Sequence, residues 1–417
     1  MAHRQVALPR AGAQENSVRE GSSRKSFDLH QICVVLLALT ALSGQFSLVR
    51  VSSRFETLGW MGEPRILLMA ALIVLSLPLI NQFKYREPRL GRKDYSSLFL
   101  AIVVIFHFYL IVTYIWSPFG SYSKEQVLSV GLVIVMLCMA YLLAHFDNER
   151  TISVFLRTLF LASLIYAVAG LFELSFEPSA GFSFLWGGPN VYVRVVGTGV
   201  FVAVYLWMKT SRRIWLISIP VLLLSTMMSG SRGGIASFLI ALALSLFLIV
   251  KRARKLVVIM AMILILVLVF LYLPITASYR QFIEARYQLT SQDFAGEYQR
   301  SRGGIYSRAW QTFSRYPLMG IGIGGFRESE YSYPHNLLLN VAAEGGLLGL
   351  FLLGLLLLPL VLRWRQTRKL EHNTCFVLAV FFLAVNMFSG SYYDWRFIWL
   401  FLILFMTPSW SETKQTG

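Results

Sequence analysis

The sequence predicts an all-α polytopic membrane protein with about twelve transmembrane helices and one large loop on the outer face. Three observations support this fold class. The 417 residues are 56% hydrophobic and only 14% charged, whereas a soluble chain carries about 25% charge. Apolar runs long enough to cross roughly 30 Å of hydrocarbon recur along the chain. The basic residues between these runs alternate as the positive-inside rule requires.

The helices are predicted from runs of about 20 mainly apolar residues, the length that crosses a bilayer. These runs are 31–50, 65–83, 97–117, 126–146, 152–173, 190–208, 214–229, 234–250, 256–275, 337–362, 374–390 and 395–409. The short runs at 214–229 and 395–409 carry the least evidence. An even number of crossings places both termini on the same side of the membrane.

Lysine and arginine predict the orientation of these helices, because short cytoplasmic loops are enriched in both residues. The predicted inner loops contain Lys84, Arg86, Arg89, Arg92 and Lys93; Lys209, Arg212 and Arg213; Lys251, Arg252, Arg254 and Lys255; Arg363, Arg365, Arg368 and Lys369. Residues 174–189, predicted outside, contain none. Arg50, Arg54 and Arg65, in or beside the first outer loop, depart from the rule. The net charge of +17 therefore reflects topology, and no nucleic acid is expected as a partner.

The predicted organisation has five parts. The basic N-terminal segment lacks a convincing cleavage site, so the first apolar run is expected to be a retained helix and not a signal peptide. The parts are a disordered cytoplasmic tail (1–30), helices one to nine (31–275), an outer loop with short amphipathic helices (276–335), helices ten to twelve (336–409) and a cytoplasmic tail (410–417).

The outer loop is rich in arginine and contains no lysine. Its arginines are Arg280, Arg286, Arg300, Arg302, Arg308, Arg315 and Arg327. A guanidinium presents a planar fork of donors that suits bidentate contact with phosphate, whereas lysine is a point charge. This composition favours a specific anionic ligand; the alternative is a solvated loop that touches anionic lipid headgroups.

Helices six, eight, ten and twelve are predicted to begin on the outer face, where their free N–H groups favour anions. Arg194 lies about one turn inside helix six and either snorkels to the headgroups or contacts a ligand. The turn at 229–234 allows a ligand to approach the backbone closely. It places Ser231, Arg232 and Gly233 at the start of helix eight, where a phosphate could bind.

His335 is the strongest candidate for a catalytic residue. It is the only histidine predicted at the outer face, and it stands beside Asn336 at the start of helix ten. A helix N-terminus and nearby arginines disfavour the protonated form, and a neutral imidazole can act as a general base. The alternative is that His335 only caps the helix.

Polar residues continue along helix ten and at the start of helix twelve. Asn340 and Glu344 share one helix face because they are four residues apart. A carboxylate inside a membrane helix requires a partner, so Glu344 is expected to pair with a buried arginine or a backbone group. Asp394 and Arg396 are expected to pair locally or to line the same face.

The glycine-rich stretch 317–326, which includes Gly322, is either a flexible turn or an ordered wall of a cavity into which Arg308 reaches. No residue pattern indicates a metal site, and no cofactor is expected. The cysteines have no metal-ligand spacing and are expected to be packing residues: Cys33, Cys138 and Cys375.

Three of these elements together resemble the O-antigen ligase/polymerase superfamily. They are the turn at 229–234 after a transmembrane helix, the Arg308…Trp310…Pro317…Gly320-x-Gly322 stretch of the large loop, and His335-Asn336 followed by Glu344-Gly345. The resemblance covers about residues 229–345, and the helix count extends it less specifically to the whole chain.

The resemblance implies a GT-C-like, metal-independent glycosyltransferase in a bacterial inner membrane with its active face in the periplasm. Such enzymes join a glycan carried on undecaprenyl diphosphate to an acceptor sugar. His335 is then expected to be the general base, and Arg232 and Arg308 are expected to bind and stabilise the diphosphate leaving group.

Placement in the sequence adds further residues to the expected site. We expect substrate contacts from Arg194, Arg286, Arg302, Asn336 and Ser231. We expect supporting roles for Glu344, Asn340, Gly233 and Gly322.

Several functions remain open at this point. A ligase uses lipid A–core as its acceptor, whereas a polymerase uses another lipid-linked repeat unit and makes O-antigen or exopolysaccharide. A transporter or flippase is also possible, although such proteins usually show internal repeats and polar residues at the midplane. A non-catalytic assembly factor is the remaining alternative.

Overall fold

The computed structural model describes residues 12–44, 63–84, 95–118, 120–172, 188–250, 281, 302–330, 333–364 and 369–408. These residues form α-helices and short 3-10 turns, with no strand among them. The α-helices are α1 (Gly12–Ser43), α2 (Pro64–Lys84), α3 (Tyr95–Val112), α4 (Ser121–Phe146), α5 (Asn148–Phe172), α6 (Pro189–Thr210), α7 (Ile214–Met228), α8 (Arg232–Leu248), α9 (Arg302–Arg315), α10 (Gly325–Glu330), α11 (Leu337–Leu355), α12 (Leu357–Trp364), α13 (Leu370–Asn386) and α14 (Arg396–Met406).

The all-α membrane fold is confirmed. Among the described residues six helical segments are long and apolar enough to cross a membrane, and four shorter apolar helices accompany them. Every predicted run except 256–275 overlaps a helix of the structure. The run 256–275 and most of the predicted outer loop lie outside the described residues, so the total of twelve crossings and the position of the loop stay predictions.

The structure adds two details about helix boundaries. α1 begins at Gly12, within the segment that was predicted as a tail; once an apolar helix has formed, adding residues to its end costs less than starting a new helix. The predicted tenth helix is interrupted at Gly346, where φ is 64° and ψ is −161°, and it continues as α12 after Leu355.

The centre of the bundle is α6. The span Pro189–Thr210 is 89% buried, whereas the other five spans are 28–44% buried. Lipid supplies no hydrophobic force between helices, so close packing depends on small residues. A Cβ at Gly199 would stand only 2.5 Å from the Cβ of Ser163 on α5, and the Ser163 hydroxyl donates to the Val195 carbonyl at 2.7 Å. Both contacts bring α5 and α6 closer than larger side chains would permit.

The weakest of the predicted runs, 395–409, also lies in the core. Every residue of α14 is buried, and Phe382 of α13 stacks on Phe397 of α14 with ring centroids 4.5 Å apart. Aromatic packing of this kind stabilises the contact beyond the area that it buries. α14 can be short because its surroundings are protein and not lipid.

The glycine-rich stretch 317–324 is an ordered segment that packs into the break of α11. Leu347 N and Leu348 N donate to the carbonyls of Pro317 and Leu318 at 2.8 and 3.1 Å. In return Ile321 N and Gly322 N donate to the carbonyls of Ala343 and Glu344 at 2.9 and 3.0 Å. Non-helical backbone at a membrane-spanning helix is tolerated when other protein groups satisfy it in this way.

We expect Gly320→Ala to weaken this junction. Gly320 has a φ of +69°, and a Cβ there would overlap the carbonyl group of Glu344. Left-handed strain and overpacking together predict a loss of about 1–3 kcal/mol in the free energy of unfolding. Thermal unfolding of the protein in detergent measures the change. The matched control is Gly354→Ala, because a Cβ at Gly354 meets nothing within 4 Å and alanine favours a helix. Equal unfolding midpoints for the two variants would contradict this account.

Candidate functional site

Four helix N-termini meet at the link between α13 and α14, which comprises residues 387–395. Asn190 in the first turn of α6 accepts a hydrogen bond from the hydroxyl of Ser231, which caps α8. Gly233 of α8 lies against Phe388, where an added Cβ would be 2.6 Å from the Phe388 Cβ. α14 begins directly after the link. Three of the predicted helix starts therefore share one location.

The fourth N-terminus belongs to α11. Asn336 is its cap, and the Asn336 side-chain oxygen accepts from Leu339 N at 3.1 Å. The amide nitrogen of the same side chain donates to the Met387 carbonyl at 3.1 Å. Because Met387 precedes Phe388, the start of α11 and the start of α8 contact adjacent residues of the link. This brings His335, next to Asn336, and Arg232, next to Gly233, to the same end of the bundle.

His335 has an unusual backbone conformation. Its φ is +56°, and Ser211 is the only other non-glycine residue with positive φ in the described part of the chain. Few residues other than glycine adopt this conformation, although Asn, Asp and His do so more often than the rest, and it concentrates at functional sites. The imidazole is half-buried and packs on Tyr333 with ring centroids 4.0 Å apart and an interplanar angle of 40°.

Arg232 is the first residue of α8. Its side chain is half-buried, and its Nη1 atom is buried without a hydrogen bond to any described residue. A buried guanidinium N–H normally has a partner. The position at a helix N-terminus makes that partner most favourable if it is an anion.

Arg308 lies on α9, which packs on the first turns of α11. Ile305 and Ala309 of α9 form a small cluster with Phe326 and with Ala343 of α11, and Leu339 packs against it. Arg308 stands beside Ala309 and is half-buried. The helix that carries Arg308 is therefore held against the helix that begins at Asn336.

Arg194 forms an ion pair that the sequence did not reveal. Its Nη1 atom is 3.1 Å from Asp394 Oδ1, and its Nη2 atom donates to the Ser389 carbonyl. Arg396 is 3.6 Å from the same carboxylate oxygen, so the expected local pairing of Asp394 with Arg396 is confirmed. Burial raises the pKa of Asp394, but the two arginines and the bonds from Ser391 outweigh it and hold the pKa below its usual value.

Glu344 has a backbone partner, as one of the two expectations for it stated. Its Oε2 atom accepts from Gly324 N at 2.9 Å and from the Tyr392 hydroxyl at 2.7 Å. The sequence did not indicate Tyr392. Glu344 thus joins α11, the glycine-rich segment and the link.

The remaining predicted residues have different positions. Ser231 accepts from Gly234 N at 3.1 Å and donates to Asn190, so its hydroxyl holds two helix ends together. Asn340 is buried on α11, and a Cβ at Gly322 would be 2.6 Å from the Thr113 carbonyl oxygen. Arg302 is the first residue of α9. Arg286 lies outside the described residues.

A family comparison agrees with this geometry. The O-antigen ligase family model matches residues 217–354. These matched residues are therefore similar to the O-antigen ligase family. The match confirms the resemblance to the ligase/polymerase superfamily and implies a glycosyltransferase-like enzyme of that type. No curated protein matches the sequence significantly.

The matched residues include Arg232, Arg308, His335 and Glu344, but not all of the site. Arg194, Asp394 and Arg396 lie outside the matched residues, and the ion pairs above bring them to it. Within the described ranges no group of three His, Cys, Asp or Glu side chains comes together.

Two further residues at the candidate site were not predicted to belong to it. The guanidinium of Arg327 stacks over Tyr122, with Cζ 4.1 Å from the ring centroid. Tyr333 packs on His335 and lies within electrostatic range of Arg327. Arg327 was visible as one loop arginine among several, and Tyr333 as a neighbour of His335. Nothing local in the sequence distinguishes them.

Other histidines have structural partners away from the link. His30 bonds the Leu143 carbonyl at 3.1 Å, His145 bonds the Tyr141 carbonyl at 2.9 Å and His372 bonds the Thr407 carbonyl at 3.0 Å. These contacts lie at the opposite ends of their helices from the candidate site. His107, inside α3, bonds the Val103 carbonyl at 2.8 Å. These positions leave His335 as the histidine at the site, among those that the structure describes.

Proposed function

We propose that this protein is a metal-independent O-antigen ligase of the bacterial inner membrane. It transfers a glycan from undecaprenyl diphosphate to a sugar hydroxyl of lipid A–core at the periplasmic face. The family match supports the reaction class, and the clustering of basic residues near one end of the bundle supports an anionic donor. The oxygen-rich diphosphate suits arginine, which binds phosphate bidentately.

The observation that carries the proposal is the pair of helix starts at the link. His335 precedes the cap of α11, whose Asn336 contacts Met387, and Arg232 begins α8, whose Gly233 contacts Phe388. The chain neighbours of a base and of a cation thus contact adjacent residues of one segment. A transferase that uses an anionic leaving group needs both within reach of a single substrate.

The chemistry follows from these positions. His335 removes the proton from the acceptor hydroxyl as the oxygen attacks the anomeric carbon. The new glycosidic bond forms as the bond from that carbon to the diphosphate breaks, and the diphosphate leaves with the electron pair. Arg232 and Arg308 stabilise the charge that develops on it. Arg194 forms an ion pair with Asp394 and so stabilises the link on which these residues converge.

An assay with purified components tests the proposal. The protein in lipid nanodiscs is given undecaprenyl-diphosphate-linked glycan and one acceptor at a time, and products are separated on gels. We expect transfer to lipid A–core and none in Arg232→Ala. Elongation of a second lipid-linked repeat unit would instead show a polymerase, which the family match equally allows. Movement of the lipid-linked glycan across liposomes without transfer would show a flippase.

Arg327 is expected to contribute to donor binding, because its guanidinium is exposed and is held beside the site by Tyr122. One charge-assisted hydrogen bond is worth about 1.5–3 kcal/mol, so Arg327→Ala is expected to raise the KM for the lipid-linked donor roughly tenfold or more. Initial rates at varied donor concentration measure this change.

Arg315→Ala is the matched control for that experiment. Arg315 also stacks on a tyrosine, Tyr316, with Cζ 5.8 Å from the ring centroid. It lies at the far end of α9, seven residues after Arg308. Its replacement is expected to leave the donor KM unchanged. A similar rise in both variants would mean that Arg327 contributes only to the overall charge.

A further inference from the structure

We infer that Tyr333 is the positioning residue of the site: it holds the His335 imidazole and couples it to the buried Arg194–Asp394 pair. The inference deepens the proposed function and rests on it, because His335 is the base only if transfer occurs. It is carried by contacts on both sides of the Tyr333 side chain.

The first contact is between the two rings. Tyr333 and His335 flank the buried Pro334, and their ring centroids are 4.0 Å apart. Proline restricts the backbone of its own residue and of the one before it, and His335 itself is held at a φ of +56°. The tyrosine ring, tilted by 40° against the imidazole, therefore limits the rotation of a side chain whose backbone is already constrained.

The second contact ties the phenol to the interior. The Tyr333 hydroxyl lies near Ser389 and within electrostatic range of Asp394 and Arg194. The Ser389 carbonyl accepts from Arg194, and Arg194 is paired with Asp394 at 3.1 Å. A continuous series of contacts thus runs from the imidazole to an ion pair on α6 and the link.

Tyr333 is not itself the base. Burial raises the pKa of the Tyr333 hydroxyl above its usual value, so the phenol stays protonated at neutral pH. A neutral hydroxyl donates a hydrogen bond but does not remove a proton from a sugar. Its role is to set the orientation of the imidazole, on which the rate depends steeply, because a displacement of about 1 Å can cost roughly a hundredfold.

Two variants separate the two contacts. Tyr333→Phe keeps the ring against His335 and removes the hydroxyl that lies near Ser389, whereas Tyr333→Leu removes both the ring and the hydroxyl. We expect kcat to fall several-fold in the first and about tenfold to a hundredfold in the second, with the donor KM unchanged in each. In a His335→Asn background neither variant is expected to lower the residual rate further, because residues that act through one another are not additive.

A labelling experiment reports on the imidazole without any transfer reaction. Diethyl pyrocarbonate modifies accessible histidines, and mass spectrometry of peptides gives the rate at each one. Tyr333→Leu is expected to raise the modification rate of His335. The internal control is the pair Tyr141 and His145, whose ring centroids are 3.9 Å apart: Tyr141→Leu is expected to change His145 and to leave His335 unchanged.

The outcomes distinguish this inference from the proposed function. If wild-type protein transfers glycan and both Tyr333 variants keep its kcat and its His335 labelling rate, the positioning role is overturned. If no glycan is transferred at all, the proposed function fails, while the labelling still reports whether Tyr333 holds the imidazole. A rise in donor KM with kcat unchanged would make Tyr333 a binding residue and would also overturn the inference.

Discussion

His335→Asn is expected to lower the rate of glycan transfer about 10²–10⁴-fold, which is the usual contribution of a general base. Asparagine adopts the left-handed conformation readily, so the φ of +56° at this position is kept while the base is lost. Alanine would confuse the result by adding backbone strain. Single-turnover assays measure the chemical step, and thermal unfolding verifies that the fold is intact.

Ser211→Asn is the matched control for this substitution. Ser211 has a φ of +55° and ends α6 on the side away from the link. The same new residue in the same backbone conformation is expected to leave both the rate and the stability unchanged. A His335→Asn protein that transfers glycan at the wild-type rate would remove the general base from the mechanism.

Asp394→Asn is expected to have the largest effect on stability. Asparagine can still accept the hydrogen bond from Ser391 N, which Asp394 accepts at 2.8 Å, but it cannot neutralise the arginines. Arg194 and Arg396 side chains are each 6% exposed, and a buried charge that loses its partner is costly. Because Asp394 is 25% exposed, we expect a loss of about 2–4 kcal/mol in the free energy of unfolding. Unfolding by SDS in mixed micelles measures the loss.

Glu149→Gln provides the control for the ion pair. Glu149 and Lys369 are 2.9 Å apart but 44% and 30% exposed, and exposed pairs contribute about 0–1 kcal/mol. If Glu149→Gln loses as much stability as Asp394→Asn, solvent exposure does not determine how much free energy of unfolding is lost with an ion pair.

The stability difference at Asp394 is expected to depend on pH. The pKa of Asp394 in the folded protein lies below its usual value, so its contribution is present above the pKa of the unfolded chain, about 3.9. The contribution is lost as the pH falls through the folded pKa. Wild type and Asp394→Asn are therefore expected to differ fully at pH 7 and to converge in acid. A constant difference across that range would mean that the charge of Asp394 does not matter.

Much of the fold follows from local sequence. A bilayer requires every backbone group to be satisfied within the segment that crosses it, so hydropathy and length identified the helices. The caps were not predicted: Ser231 and Asn336, which were expected to contact substrate, stand at the N-termini of α8 and α11 and accept backbone hydrogen bonds there. The break at Gly346 was missed because the groups that satisfy it come from residues 317–322.

The sequence predicted individual residues of the candidate site, but not the contacts between them. His335, Arg232 and Arg308 were chosen by type and position, and the structure brings the helix starts of the first two to adjacent residues of the link. From the sequence, two roles were open for Arg194: a contact with lipid headgroups or a contact with a ligand. The structure pairs it with Asp394. Its substrate contact stays a prediction.

The sequence by itself determined that this chain is a helical membrane protein, where most of its helices begin and end, and which residue types can do chemistry. Tertiary structure alone decided that four helix N-termini converge on residues 387–395 and that Arg194, Glu344 and Tyr333 take their partners there. The physical reason is the distance along the sequence over which each effect acts. Hydropathy and capping depend on neighbouring residues of one segment, whereas the partner of a buried charge depends on which helices pack together.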